Sequence, residues 1–277
     1  MRIDENVLLN WVNHFYGYGS WNADIWFIAL EESGGDLPEE VAQRFNYFFS
    51  VHSSATTPTL CDIRELYKRV SFRINGPRAD VFKTLYEYRF TDNAVLHGVW
   101  KNLIAFAHGY KEEALPDLLT YQQKTFASIT ECNEALIRLY PLPSPHNHAW
   151  YYSWLDLPNV DFLKSRATYQ ERLYKHRMQT ILHQIKVHKP HLVLMYGMEH
   201  VNTLKQSVQD FFTKASFSLI KAVKQQIPQH HYADLDGTQL LITTQIPALR
   251  HNRIETGFEW EAFGAMVKDY QTIKKFT

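Results

Sequence analysis

Asn22-Ala-Asp-Ile-Trp-Phe-Ile-Ala-Leu-Glu-Glu-Ser-Gly-Gly35 decides the fold. Ile25 to Leu30 is a continuous apolar run, the pattern of a strand covered on both faces. Glu31 and Glu32 follow at once, at the strand's carboxyl end, where open α/β sheets bind ligands. Gly34 and Gly35 allow a sharp turn or a close approach of backbone to a ligand. The competing interpretation of the segment is an ordinary strand followed by a solvated turn.

Three more strand signals lie downstream. Ala135 to Tyr140 is ended by the stiff loop Pro141-Leu-Pro-Ser-Pro145. His191 to Tyr196 is ended by Gly197, and Gln239 to Thr244 leads into Gln245-Ile-Pro-Ala-Leu-Arg-His-Asn-Arg253. Helical spacing occupies Glu5 to Tyr16, Thr168 to Val187, His200 to Phe212 and Phe258 to Lys275. A mainly helical segment covers about 37–130, starting at Pro38 with Glu39 and Glu40 in its first turn. Alternation of strand and helix implies a parallel sheet with right-handed crossovers. The expected architecture is a three-layer α/β/α sandwich around a central four-stranded parallel sheet, with extra helices, as one domain over 1–277.

The 277 residues include 45% hydrophobic residues, enough for a packed core. Lys and Arg total 29 and Asp and Glu total 29, so the net charge gives no sign of a nucleic-acid partner. The distribution is less even. Lys164, Arg166, Arg172, Lys175, Arg177, Lys186 and Lys189 lie in one stretch whose single acid is Glu171, so it reads as a local basic face or a solvated helix face. Cys61 and Cys132 are too few for a four-cysteine zinc or iron–sulfur site. His230-His231 reads as a solvated pair in a polar loop, with metal binding as the alternative. The glycine-rich phosphate-binding signatures and the nucleophile elbow are missing from the sequence. The polar opening Met1-Arg-Ile-Asp-Glu-Asn6, with no long apolar stretch, leads us to expect a cytoplasmic protein without membrane contact.

Chemistry therefore concentrates at the strand ends. The loop at Gln245 places Arg250, His251, Asn252 and Arg253 in succession, groups that can hold a phosphate and donate to a developing anion. A helix-entry loop with surface charge is the plainer explanation.

Taken together, these segments resemble the uracil-DNA glycosylase superfamily. In that superfamily the first strand ends in a Gly-x-[Asp/Asn/Glu]-Pro-Gly type motif whose polar residue handles water. The matching segment is Ala29-Leu-Glu-Glu-Ser-Gly-Gly35, and the resemblance gives Glu31 or Glu32 that role. The family's second strand supplies a base-recognising asparagine and a Pro-rich loop, matched by Asn133 and by Pro141 to Pro145, with Asn147 beyond. Its last strand leads to a His-Pro-Ser type loop that enters the minor groove, matched by Gln245 to Arg253. The resemblance covers roughly residues 18–35 and 131–260. Pro is missing after the glutamates, and Gln245 or the displaced His251 stands at the family's histidine, so a base other than plain uracil is expected.

The implied activity is a monofunctional DNA glycosylase that flips a modified base and leaves an abasic site. The combination resembles anti-phage glycosylases that act on glucosylated hydroxymethylcytosine in viral DNA. Glu31, Glu32 and His251 are then the catalytic candidates, since N-glycosidic cleavage needs oriented water, a stabilised oxocarbenium and a stabilised leaving base. Asn133, Ser144, His146, Asn147 and Tyr151 are candidates for base binding, and Trp150, Tyr152 and Trp154 for stacking. Gln245, Leu249, Arg250, Asn252 and Arg253 are candidates for DNA contact, with Leu249 as a wedge. No metal and no other cofactor is expected. The expected partner is double-stranded DNA, including phage DNA with modified bases, bound by a monomer. The competing functions are a non-catalytic DNA- or nucleotide-binding module, a repair uracil-DNA glycosylase, and a small-molecule hydrolase or transferase.

Overall fold

The computed structural model describes residues 3–32, 38–72, 81–144, 150–155, 157–223, 226–248 and 258–273. Helix α1 (Glu5–His14) starts where the Asp4 carboxylate accepts from the backbone N–H of Asn6 and Val7. It ends earlier than its periodicity suggests, because Phe15-Tyr-Gly-Tyr18 is itself a buried strand, β1 (Phe15–Tyr18). Strand β2 (Ile25–Ala29) is buried at all five positions. The segment read as mainly helical contains α2 (Pro38–His52), α3 (Ile63–Tyr67), α4 (Leu85–Phe90), α5 (Gly98–Lys111) and α6 (Leu118–Lys124). It also contains a short strand, β3 (Thr59–Cys61). Then come β4 (Glu134–Arg138), α7 (Arg166–His188), β5 (Leu192–Met195) and α8 (Val201–Phe211). Strands β6 (Ser218–Ile220), β7 (His230–Leu235) and β8 (Thr238–Ile242) precede α9 (Trp260–Ile273).

The sheet order is β3-β1-β4-β2-β5-β8-β7-β6. The four strands legible in the sequence are its middle, β4, β2, β5 and β8, and all three pairings among them are parallel. The expectation of a four-stranded sheet is corrected: among the described residues the sheet has eight strands and is mixed. Strand β1 runs antiparallel to β4 and parallel to β3. Beyond β8 the pairings are antiparallel. The β7–β8 hairpin turns through Asp236 and Gly237, both at positive φ, the geometry that suits a right-twisted two-residue loop.

Helices cover both faces of β2. The Trp26 ring lies 6.3 Å from His188 of α7, and the next residue, Phe27, lies 6.1 Å from Phe106 of α5. Successive strand side chains point to opposite faces, so α7 and α5 flank the sheet from opposite sides. Helices α5 and α9 cross so closely that only glycine fits at the contact. A Cβ on Gly109 would sit 2.0 Å from the Glu261 carbonyl oxygen, and one on Gly264 would sit 2.0 Å from that of Phe106.

Two sequence expectations change here. Arg177 does not belong to a basic surface. It is 1% exposed, donates to the carbonyls of Leu139, Val12, Phe15 and Arg138, and stacks 3.8 Å from the Tyr16 ring centroid. The heptad-like spacing of α7 turns this one cation inward, while Arg172, Lys175, Lys186 and Lys189 remain exposed. His230 is not a solvated loop residue either. It sits in β7, buried, between the Pro228 carbonyl and the Tyr270 hydroxyl.

Candidate functional site

The carboxyl ends of β4, β2 and β5 open into a cavity of about 500 Å³. Register places the reacting ends side by side, with Ala29 opposite Arg138 and Ile28 opposite Met195. The chains remain paired beyond the strands. Leu139 and Tyr140 donate their N–H to the carbonyls of Ala29 and Leu30 at 2.9 and 2.7 Å, and Ser144 donates to Glu32 at 3.0 Å. This continued ladder carries Ser144 alongside the two glutamates.

Glu31 and Glu32 both line the cavity, in different electrostatic settings. Glu32 is 5% exposed and accepts from the hydroxyls of Tyr18 at 2.7 Å and Tyr67 at 2.8 Å, with Arg44 Nη1 at 2.7 Å. Burial pushes its carboxyl up, but the Arg44 and Arg138 guanidiniums outweigh burial and hold it below the ordinary glutamate value. Glu31 pairs with Arg166 Nη1 at 2.6 Å and accepts a longer bond from Gln170 Nε2 at 3.3 Å. Here burial prevails and raises its pKa. Arg166 also hydrogen-bonds Ser144. Glu32 thus spends its oxygens on three strong donors, whereas Glu31 has one strong and one weak partner and retains acceptor capacity.

Among the remaining walls, Arg138 and Tyr196 lie on strands the sequence reading named, whereas His97, Trp100 and Tyr67 come from helices it did not implicate. His97 caps α5, its Nδ1 accepting from the N–H of Val99 at 3.1 Å and Trp100 at 3.3 Å. Its ring stacks on Trp100 at 4.5 Å. Burial first, then Arg89 and Arg138, push its pKa down to about 3. The imidazole is therefore neutral at pH 7, and the two backbone donors on Nδ1 assign its proton to Nε2. Arg138 is 5% exposed, and its Nε and Nη1 have no hydrogen-bond partner. Tyr67, Trp100 and Tyr196 provide flat walls.

Of the base-binding candidates, Ser144 reaches the cavity. Asn133 does not: it precedes β4 at the opposite end of the strand, with Lys111 Nζ 3.4 Å from its Oδ1. A five-residue strand spans about 17 Å, so Asn133 lies away from this cavity. Tyr151 lies in the 3-10 turn Tyr151–Trp154 and packs against Trp154 at 5.4 Å, away from the cavity lining. Trp150 and Tyr152 are engaged as structural donors, to the carbonyls of Leu163 and Pro143. Gln245 is exposed and its carbonyl accepts from Gly197, while its neighbour Ile246 lines the cavity. His146, Asn147, Leu249, Arg250, His251, Asn252 and Arg253 lie outside the described residues.

Among the described residues no cluster of three or more His, Cys, Asp or Glu could hold a metal, and no helix is long and apolar enough to cross a membrane. No protein-family model matches the chain, and no curated protein is detectably similar to it.

Proposed function

We propose that the protein is a DNA glycosylase that takes a flipped, modified base into the cleft at the strand ends and hydrolyses its N-glycosidic bond. The observation that carries this reading is Glu31: a half-buried carboxylate with spare acceptor capacity and a raised pKa, at the carboxyl end of a central parallel strand and on the wall of a roughly 500 Å³ cavity. Glu31 orients the water and faces the oxocarbenium-like sugar. Glu32, locked between two tyrosines and Arg44, fixes the geometry of the turn that presents Glu31. The cleft has room for a base with a bulky substituent, such as a glucosylated hydroxymethylcytosine in phage DNA. Trp100, Tyr67 and Tyr196 are the stacking surfaces.

Abasic-site formation tests this directly on three DNAs: phage DNA with modified cytosine, uracil-containing DNA and unmodified DNA. Release is expected from the first. Failure on all three by a folded protein removes the enzyme reading. The ion pairing of Glu31 with Arg166 favours one alternative, a binding module on the same fold. That module would retain DNA affinity after Glu31→Gln and release no base from any substrate.

A further inference from the structure

Three guanidinium groups line or border the cleft, and two are neutralised. Arg44 lies 2.7 Å from Glu32 and Arg166 lies 2.6 Å from Glu31. Among the described residues Arg138 has no carboxylate within salt-bridge distance and no hydrogen-bond partner for Nε or Nη1, although it hydrogen-bonds Tyr196. It is nonetheless 5% exposed, inside a strand whose other members are buried. Its charge is favoured at a distance by Glu32 and by the Tyr196 hydroxyl, but Nε and Nη1 are left without an acceptor, which is costly for a buried guanidinium. Glu32 is nearby, but its oxygens are committed to Arg44, Tyr18 and Tyr67. The contrast with Arg177 is instructive: that equally buried guanidinium has four carbonyl acceptors. Arg138 is the described cation in this cleft whose charge is left for something that enters it.

We propose that Arg138, assisted by the Nε2–H of His97, is an anion-recognition point, and that the natural ligand of the cleft carries a negatively charged oxygen there. Both groups are donors and neither is an acceptor toward the cleft, so a group presenting N–H or O–H hydrogens to them is rejected. Two sources supply such an oxygen: a phosphate on a nucleotide, or a carbonyl oxygen of a nucleobase that gains charge. The flat walls of Trp100 and Tyr196 next to it fit a ligand that joins an aromatic ring to this oxygen.

Calorimetric titration of the full chain with inorganic phosphate, deoxycytidine monophosphate and deoxycytidine separates the sources. Binding of phosphate and the monophosphate, with deoxycytidine silent, assigns the site to a phosphate. Equal binding of deoxycytidine and its monophosphate, with phosphate silent, assigns it to a base oxygen. In either case Arg138→Gln is expected to weaken binding by about tenfold or more, and Arg138→Lys by less, because the charge survives and the fork is lost. His97→Asn keeps a good helix cap and removes the Nε2 donor, so it tests the same site in a protein whose Arg138 is untouched. Wild-type protein that binds none of the three probes overturns the proposal, as does binding that all three variants leave unchanged. The glycosylase reading fails separately: absent base release with Arg138-dependent binding intact removes that reading and leaves this one.

Discussion

Glu31 and Glu32 are adjacent, and burial pushes both carboxyls up, but at Glu32 the guanidiniums of Arg44 and Arg138 reverse the shift. Glu31→Gln is expected to lower base release by about 100-fold or more with a smaller loss of stability than Glu32→Gln, because Arg166 is partly exposed and keeps its bond to Ser144. Glu32→Gln leaves Arg44 buried without its counter-ion, and denaturant unfolding is expected to show a loss of about 3–5 kcal/mol. If both variants lose activity with equal destabilisation, the division of roles is wrong. The pH profile carries a sign. A raised Glu31 pKa keeps the carboxyl protonated to higher pH than a free glutamate, so activity on the acid side falls off above the ordinary glutamate range. His97, by contrast, should show no imidazole titration by NMR between about pH 5 and 8, since burial holds it neutral. The glutamates were legible because they interrupt an apolar run at its end. Arg138 was visible as a charge inside Ala135 to Tyr140, but its meaning needs the register that sets it beside Ala29. His97, Tyr67 and Trp100 carried no signal, because what brings them to β2 is tertiary packing of helices distant in sequence.

At the scale of elements, β4 has chemistry at both ends. Its first residue, Glu134, is fully buried, accepts from Tyr121 at 2.9 Å and has Oε2 unpartnered. Burial pushes its pKa up to about 7. The folded state therefore holds a proton that the unfolded chain releases near pH 4.5. Its contribution is fully present below that pH and is lost as pH rises toward 7, by about 3 kcal/mol. Glu134→Gln removes the effect, so the stability of the variant relative to wild type should climb across that window in urea titrations. Helix α7 makes a second case. Its spacing was legible as a helix, but the inward turn of Arg177 was not, because a guanidinium satisfied by carbonyls looks in sequence like any other cation of the run. Strands β1, β3, β6 and β7 were missed for a related reason. Strands β3 and β6 have three residues each, β7 carries His230, His231 and Asp234 in its run, and all four lie outside the apolar centre that makes a parallel strand conspicuous. The Asp236-Gly237 turn was a usable hairpin signal.

For the whole molecule, the balance of charge hides an asymmetry of placement. Arg172, Lys175, Lys186 and Lys189 are exposed on or beside one helix, whereas Arg44, Arg138 and Arg177 are buried. If duplex DNA lies across α7, its affinity should fall steeply between low and physiological salt, and Arg172→Glu with Lys175→Glu should flatten that dependence. A small-molecule enzyme would show neither effect. The parallel centre of the sheet and the cavity-bearing ends of its strands were legible because hydrophobic periodicity and strand polarity dictate them. The closure of the cleft was not, because its second wall is built by α5.

That wall depends on a contact at the far end of α5. His97 caps α5 and Trp100 lies in its first turn, while near its last turn Gly109 is pressed against Glu261 of α9 and Phe106 meets Gly264. Asn102, between them, donates to the Pro247 carbonyl at 2.9 Å. Helix α5 is thus a rigid lever pinned at its tail, with its head forming a jaw of the cleft. A methyl group added at Gly264 cannot be absorbed where backbones touch, so it must tilt or lift the lever. Gly264→Ala is therefore expected to slacken ligand binding at a site whose own residues are all intact.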